Sequence, residues 1–195
     1  MNSFTLRTTA IVAAALTVGL LAGCTINITP ADSNSDNGMG GMMGDSSGDY
    51  SMVDLGFAQM MIPHHEQAVE MSGLALEIST DPEILALATQ IRDAQAPEIE
   101  QMQGWLDSST GMMDHDMGTM GGMLSDAEIA TLAASTGVEF DRLFLEGMIG
   151  HHEGAIQMAQ MILDSQNPEV KALGEAIVSS QTAEIARMRD LLAAR

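Results

Sequence analysis

Apolar residues recur along this chain with the spacing of a helix face. Phe57, Met61, His64, Ala68, Met71, Ala75 and Ile78 advance by alternating steps of four and three, which keeps them on one stripe. Asp81-Pro82 interrupts the pattern, and Pro82 suits the first turn of a new helix. Ile84, Ala88, Ile91, Gln95, Glu98, Met102 and Trp105 then step in the same way. The pattern returns as Phe144, Met148, His151, Ala155, Met158 and Ile162, followed by Val170, Gly174, Ile177, Gln181, Glu184, Met188 and Leu191. Ser125-Asp126-Ala127-Glu128 has the form of a capping box and predicts a short extra helix before Gly137. Two helical hairpins with four apolar stripes predict an all-α four-helix bundle. Pro63 lies inside the first helix and should kink it or loosen its hydrogen bonding.

The two hairpins are copies of one unit. Asp54, Phe57, Met61, His64, His65, Glu66, Ala68 and Met71 match Asp141, Phe144, Met148, His151, His152, Glu153, Ala155 and Met158, all 87 residues apart. After a one-residue slip, Pro82, Glu83, Ile91, Gln95, Glu98, Ile99 and Met102 match Pro168, Glu169, Ile177, Gln181, Glu184, Ile185 and Met188 at a spacing of 86. Duplication of a two-helix unit accounts for this. Pro63 has Gly150 in the second copy, and Pro97 has Ala183.

The segments outside the repeats are of a different kind. Residues 1–23 read as a lipoprotein signal peptide: Arg7, an apolar run from Ala10 to Leu21, and small residues before Cys24. Lipidation at Cys24 would anchor the chain to the bacterial cell membrane from outside the cytoplasm without spanning it. Residues 24–50 read as a flexible Gly/Ser/Met-rich tether. The first hairpin is then 51–107, a Met/Gly/Asp-rich linker is 108–124, and the short helix with the second hairpin is 125–195. Cys24 is the only cysteine, so no intrachain disulfide and no free thiolate ligand remain.

Seven basic against 27 acidic residues give a net charge of −20. Such a chain repels nucleic acid and anionic lipid and attracts cations. Four of the five histidines sit in the two copies of the His-His motif. Histidine binds metals and moves protons. An apolar seam interrupted by His64, Gln95 and Glu98 is costly unless these groups satisfy one another or an ion. A hairpin turning near residue 80 puts His64 beside Glu98, and Met61 beside Glu98 and Met102. The second half repeats this with His151, Gln181, Glu184, Met148 and Met188. His64 and His65 are about 100° apart around the axis, so one ring faces in and its neighbour lies towards the flank. The same holds for His151 and His152.

Carboxylate-bridged di-iron bundles use Glu-x-x-His. Here Met61-x-x-His64 and Met148-x-x-His151 stand in that place. Thioether with imidazole suits Cu(I) and is a poor set for iron, magnesium or calcium. Met71, Met158, Met102 and Met188 extend the thioether set along the seams. The linker adds Met112, Met113, His115, Met117 and Met120 as further soft donors among acids, with Met123 after them. Methionine is abundant throughout, with 18 residues against one Trp and one Tyr.

Met-Ile-Pro-His-His-x-x-Ala followed by Pro-Glu and Gln-x-x-Glu-Ile-x-x-Met resembles the domain of unknown function 305 family, over nearly all of 51–106 and 138–192. The resemblance implies a ferritin-like bundle of two-helix repeats and an extracytoplasmic location. Its CopM-like periplasmic members imply copper binding in copper tolerance or homeostasis, carried onto His64, His65, His151, His152, Met61 and Met148. The expected function is a lipid-anchored protein that captures or buffers copper, with Cu(I) favoured. Its expected partners are copper ions and the membrane, not nucleic acid. Two alternatives stand beside it. One is a ferritin-like metalloenzyme such as a metal oxidase, motivated by Glu98 and Glu184. The other is an envelope interaction protein whose buried polar residues only fix helix register.

Overall fold

Every long helix except one begins with a side chain that satisfies its free backbone N–H groups. Ser51 and Asp54 form a capping box at the start of α1, Met52–Ile78. Asp81 caps α2, Pro82–Ser108, with Pro82 at its first turn. Ser125 and Glu128 form the expected capping box of the short α3, Asp126–Ala134. Asn167, the repeat equivalent of Asp81, caps α5, Pro168–Ala193. The exception is α4, Gly137–Ala159, whose preceding Thr136 makes no side-chain cap. The computed structural model describes residues 50–109 and 121–195. These belong to one compact unit, Gly44–Arg195. Among the described residues there is no strand, and no helix is long and apolar enough to cross a membrane.

The helices form a bundle of two antiparallel hairpins, α1 with α2 and α4 with α5, which meet chiefly through α1 and α4. Polar side chains bridge α2 to α5: Gln90 donates to Glu184, and Gln101 and Trp105 donate to Glu169. Pro63 does not end α1, which runs unbroken through it. The one-residue slip between the copies has a local cause. A 3-10 turn, Gln160–Ile162, follows α4 where α1 continues as α-helix. Residues 163–167 then lead into α5, against residues 79–81 between α1 and α2.

Two apolar clusters fill the bundle. One holds Met71, Ile84, Ile91, Phe144, Met148 and Met188. The other holds Phe57, Met61, Met102, Trp105, Ile162 and Ile177. Each long helix passes from one cluster to the other, and polar residues mark the crossing. They are His64 and His65 on α1, Gln95 and Glu98 on α2, His151 and His152 on α4, and Gln181 and Glu184 on α5. Phe144 is fully buried in the first cluster. Phe144→Ala should cost about 3–5 kcal/mol, read as a lowered urea midpoint with an unchanged slope.

Candidate metal centre

The polar crossing is a layer at mid-bundle. All four imidazoles of the two His-His motifs are fully buried in it. His65 Nε2 donates to Glu98 Oε2 at 2.7 Å, and His152 Nε2 donates to Glu184 Oε2 at 2.8 Å. His64 and His151 face each other across the α1–α4 contact, with ring centroids 3.8 Å apart and planes tilted by 41°. The sequence reading set His64 level with Glu98, but the structure puts His65 there. The turn position fixed the register only to within about a helical turn, and one residue rotates the side chain by about 100°. Gln90 donates to the free oxygen of Glu184 at 2.8 Å, and Arg187 donates to Gln90 at 3.2 Å. The Glu98 side chain is 19% exposed, against 6% for Glu184.

A short strap closes one side of the layer. Leu124 is clamped by Gln67, whose Nε2 donates to the Leu124 carbonyl at 2.9 Å and whose Oε1 accepts from Leu124 N at 2.7 Å. Just before it, the Gly121 carbonyl accepts from His64 Nε2 at 3.2 Å. Gly122 adopts φ +88°, and a Cβ there would stand 2.6 Å from the Gly150 carbonyl oxygen. A Cβ on Gly154 would fall on the Gly121 carbonyl. Gly147, against the Leu124 side chain, and Gly154 thus clear a track along α4 for the strap. The equivalent α1 positions carry Met60 and Gln67. The departure of Gly154 from Gln67 marks the half on which the strap lies. A cavity of about 410 Å³ beside it is lined by Met123, Glu128, Glu146, Gly147 and Gly150. A larger one of about 810 Å³, around Tyr50, Asp164 and Glu169, holds none of the histidines.

Nδ1 of all four rings, Nε2 of His151, both amide atoms of Gln95 and Oε1 of Gln181 are buried without a hydrogen-bond partner. Such atoms are costly and call for a partner. Among the described residues no three His, Cys, Asp or Glu side chains converge into a cage for an ion. The unpartnered donors of the layer include imidazole nitrogens, with buried thioethers nearby.

The other predicted residues divide by distance along the helices. Met61 and Met148 are fully buried three residues before His64 and His151, about 4.5 Å along each axis. Met102 and Met188 are also fully buried, four residues beyond Glu98 and Glu184. The two members of each pair lie in different apolar clusters, Met61 and Met102 in one and Met148 and Met188 in the other. Met71 and Met158 stand seven residues from His64 and His151, about 10 Å along the axis, and are packed into the two clusters. Met112, Met113, His115, Met117, Met120 and Cys24 lie outside the described residues. The clamp by Gln67 and the strap glycines were not anticipated. Their only trace in the sequence is the run of small residues at 147, 150 and 154.

The domain of unknown function (DUF305) family profile matches residues 54–192. The chain belongs to the DUF305 family. A DUF305 protein from Streptomyces coelicolor, described as secreted, is 36% identical with a TM-score of 0.69, covering 72% of this chain and 91% of its own. A DUF305 fragment from Deinococcus radiodurans is 32% identical with a TM-score of 0.66, covering 74% and 98%. CopM in its Cu(II)-bound form is 33% identical with a TM-score of 0.60, covering 72% and 95%. CopM is also solved in Cu(I)-bound and Ag-bound forms. No curated protein sequence matches this one significantly.

Burial drives the central imidazoles towards the neutral form. Desolvation, with the neighbouring His65, lowers the His64 pKa to about 4, although the Gly121 carbonyl pulls the other way. Desolvation, then His64 and His152, lowers His151 to about 2. The His64 carbonyl opposes this weakly, without hydrogen-bond geometry at either His151 nitrogen. Between pH 6.5 and about 4 the unfolded chain binds protons that these buried rings refuse. Stability should therefore fall as pH falls through that window, by a few kcal/mol from the two rings together. Urea midpoints of the metal-free protein across the window check this. A His64→Phe/His151→Phe variant should flatten the slope. Separately, Gly154→Ala should expel the strap and cost about 1–3 kcal/mol, seen as a lower melting temperature and faster exchange of the Leu124 amide.

Proposed function

We propose that this protein binds copper at the mid-bundle layer, with Cu(I) favoured, and so captures or buffers copper outside the cytoplasm. His64, His65, His151 and His152 supply nitrogen donors, and Met61 and Met148, with Met102 and Met188 behind them, supply sulfur. The observation that carries this reading is the set of buried, unpartnered imidazole nitrogens one turn from buried thioethers. Neutral imidazole and thioether form a soft set that needs no deprotonation. The tilted His64 and His151 rings are in van der Waals contact, so an ion shared by both must first part them. The likeness to CopM, solved with Cu(I), Cu(II) and Ag, supports the same ligand class.

The linker donors Met112, Met113, His115, Met117 and Met120 belong to this reading as an outer capture segment. Their chain re-enters the described fold at Gly121, whose carbonyl touches His64. Lipid attachment at Cys24 would hold the protein at the outer face of the cell membrane, where a role in copper tolerance follows. A binding module of this kind needs no turnover.

The test is a competition titration with a chromophoric Cu(I) chelator. The His64→Ala, His65→Ala, His151→Ala, His152→Ala variant, confirmed helical by circular dichroism, should lose the tight bundle-bound copper. Met61→Leu/Met148→Leu should weaken Cu(I) and leave Cu(II) largely unaffected. A folded quadruple variant that keeps full Cu(I) affinity overturns the proposal.

A further inference from the structure

The cover over His64 is thin. This ring is fully buried, yet Gly121, whose carbonyl accepts from its Nε2 at 3.2 Å, is itself exposed, and so is Gly122. Glycines bring no side chain, so on this side a single thickness of backbone lies between the ring and water. The strap Gly121–Leu124 is also held lightly. Its hydrogen bonds to the bundle run to two side chains, His64 and the half-buried Gln67. Its apolar anchor is Leu124, which is only partly buried against the first cluster. The cavity of about 410 Å³ lies against it, lined by Leu132, Leu143 and Gly150 among others. The strap therefore has room to shift while α4, continuous beneath it, stays intact. Segments held by few buried contacts and few hydrogen bonds open locally, well below the cost of global unfolding.

We propose that the strap is a lid over the buried imidazoles, latched by Gln67, and that His64, with His151 against it, reaches solvent when the lid opens and the bundle stays folded. The other two rings are closed off by side chains carried on α2 and α5. His65 lies behind Glu98, and His152 behind Glu184, which Gln90 holds in turn. The two strap glycines have different parts. Gly122, at φ +88° and too close to the Gly150 carbonyl for a Cβ, is required by the closed state. Gly121 has no positive φ, and a Cβ there would meet nothing within 4 Å. The closed state does not require a glycine at that position, so what Gly121 adds is freedom in the open one. For a layer that takes up copper, the lid sets the rates of entry and release without altering the donors. The lid does not depend on that reading, and its test uses no metal.

The test is acylation of the metal-free protein at neutral pH by diethyl pyrocarbonate, which attacks neutral imidazole nitrogen. Labelling is kept to one hit per chain and resolved by tandem mass spectrometry. His152, behind Glu184 and Gln90, serves as the gauge of global unfolding. His64 should react about tenfold faster than His152, or more. Gln67→Ala removes both latch bonds and should speed His64 about tenfold or more, with a rise in the ratio of His64 to His152. Gly121→Ala should slow His64 by about two- to fivefold, because alanine restricts the open strap more than the closed one.

Three results overturn the proposal. One is equal acceleration of all four rings in Gln67→Ala, which makes the clamp an ordinary part of the fold. Another is labelling of His65 ahead of His64, which moves the opening to the Glu98 flank. The third is faster labelling of His64 in Gly121→Ala. Each of them leaves the copper-binding reading as it stands.

Discussion

Burying four imidazoles at the middle of a helical bundle sets the terms for everything around them. Ring nitrogens taken out of water cost free energy until each has a partner. The sequence answers with a whole polar layer: Glu98 and Glu184 for one ring of each motif, a backbone carbonyl for a third, and ring-to-ring contact at the centre. Apolar clusters above and below exclude water and hold every helix at a fixed height. The strap closes the side that the helices leave open.

Much of this was legible in the sequence because it depends on period and copying. The steps of four and three named the buried stripes, and six of the seven residues on the first stripe are buried. The capping box at Ser125 and the helix start at Pro82 follow from short-range chemistry that a few letters encode. The two-helix repeat was visible because its spacings hold over so many positions.

The misreadings have a physical pattern. Placing His64 beside Glu98 needed a register accurate to one residue, and a turn position gives it only to about four. The strap escaped because Gly121-Gly122 belongs to a stretch whose composition reads as spacer. What fixes it is clearance on α4, where Gly154 leaves room for a carbonyl. Tertiary clearance of this kind leaves only a missing side chain as its trace. The 3-10 turn was likewise hidden behind the change of offset from 87 to 86, which records that a residue was lost but not how the backbone absorbed it.

The facing of His64 and His151 carries a consequence for how the fold arose. These are the same position in the two copies, and they touch. The methionines of the copies go to opposite ends, as a two-fold axis through that contact would send them. A lone hairpin would leave its apolar stripe open to water. The ancestor, before its gene doubled, would thus have closed as a homodimer. In that dimer each subunit's histidine would have met its own counterpart on the axis. Fusion then freed the halves to diverge, and only one gained the glycine track for the strap.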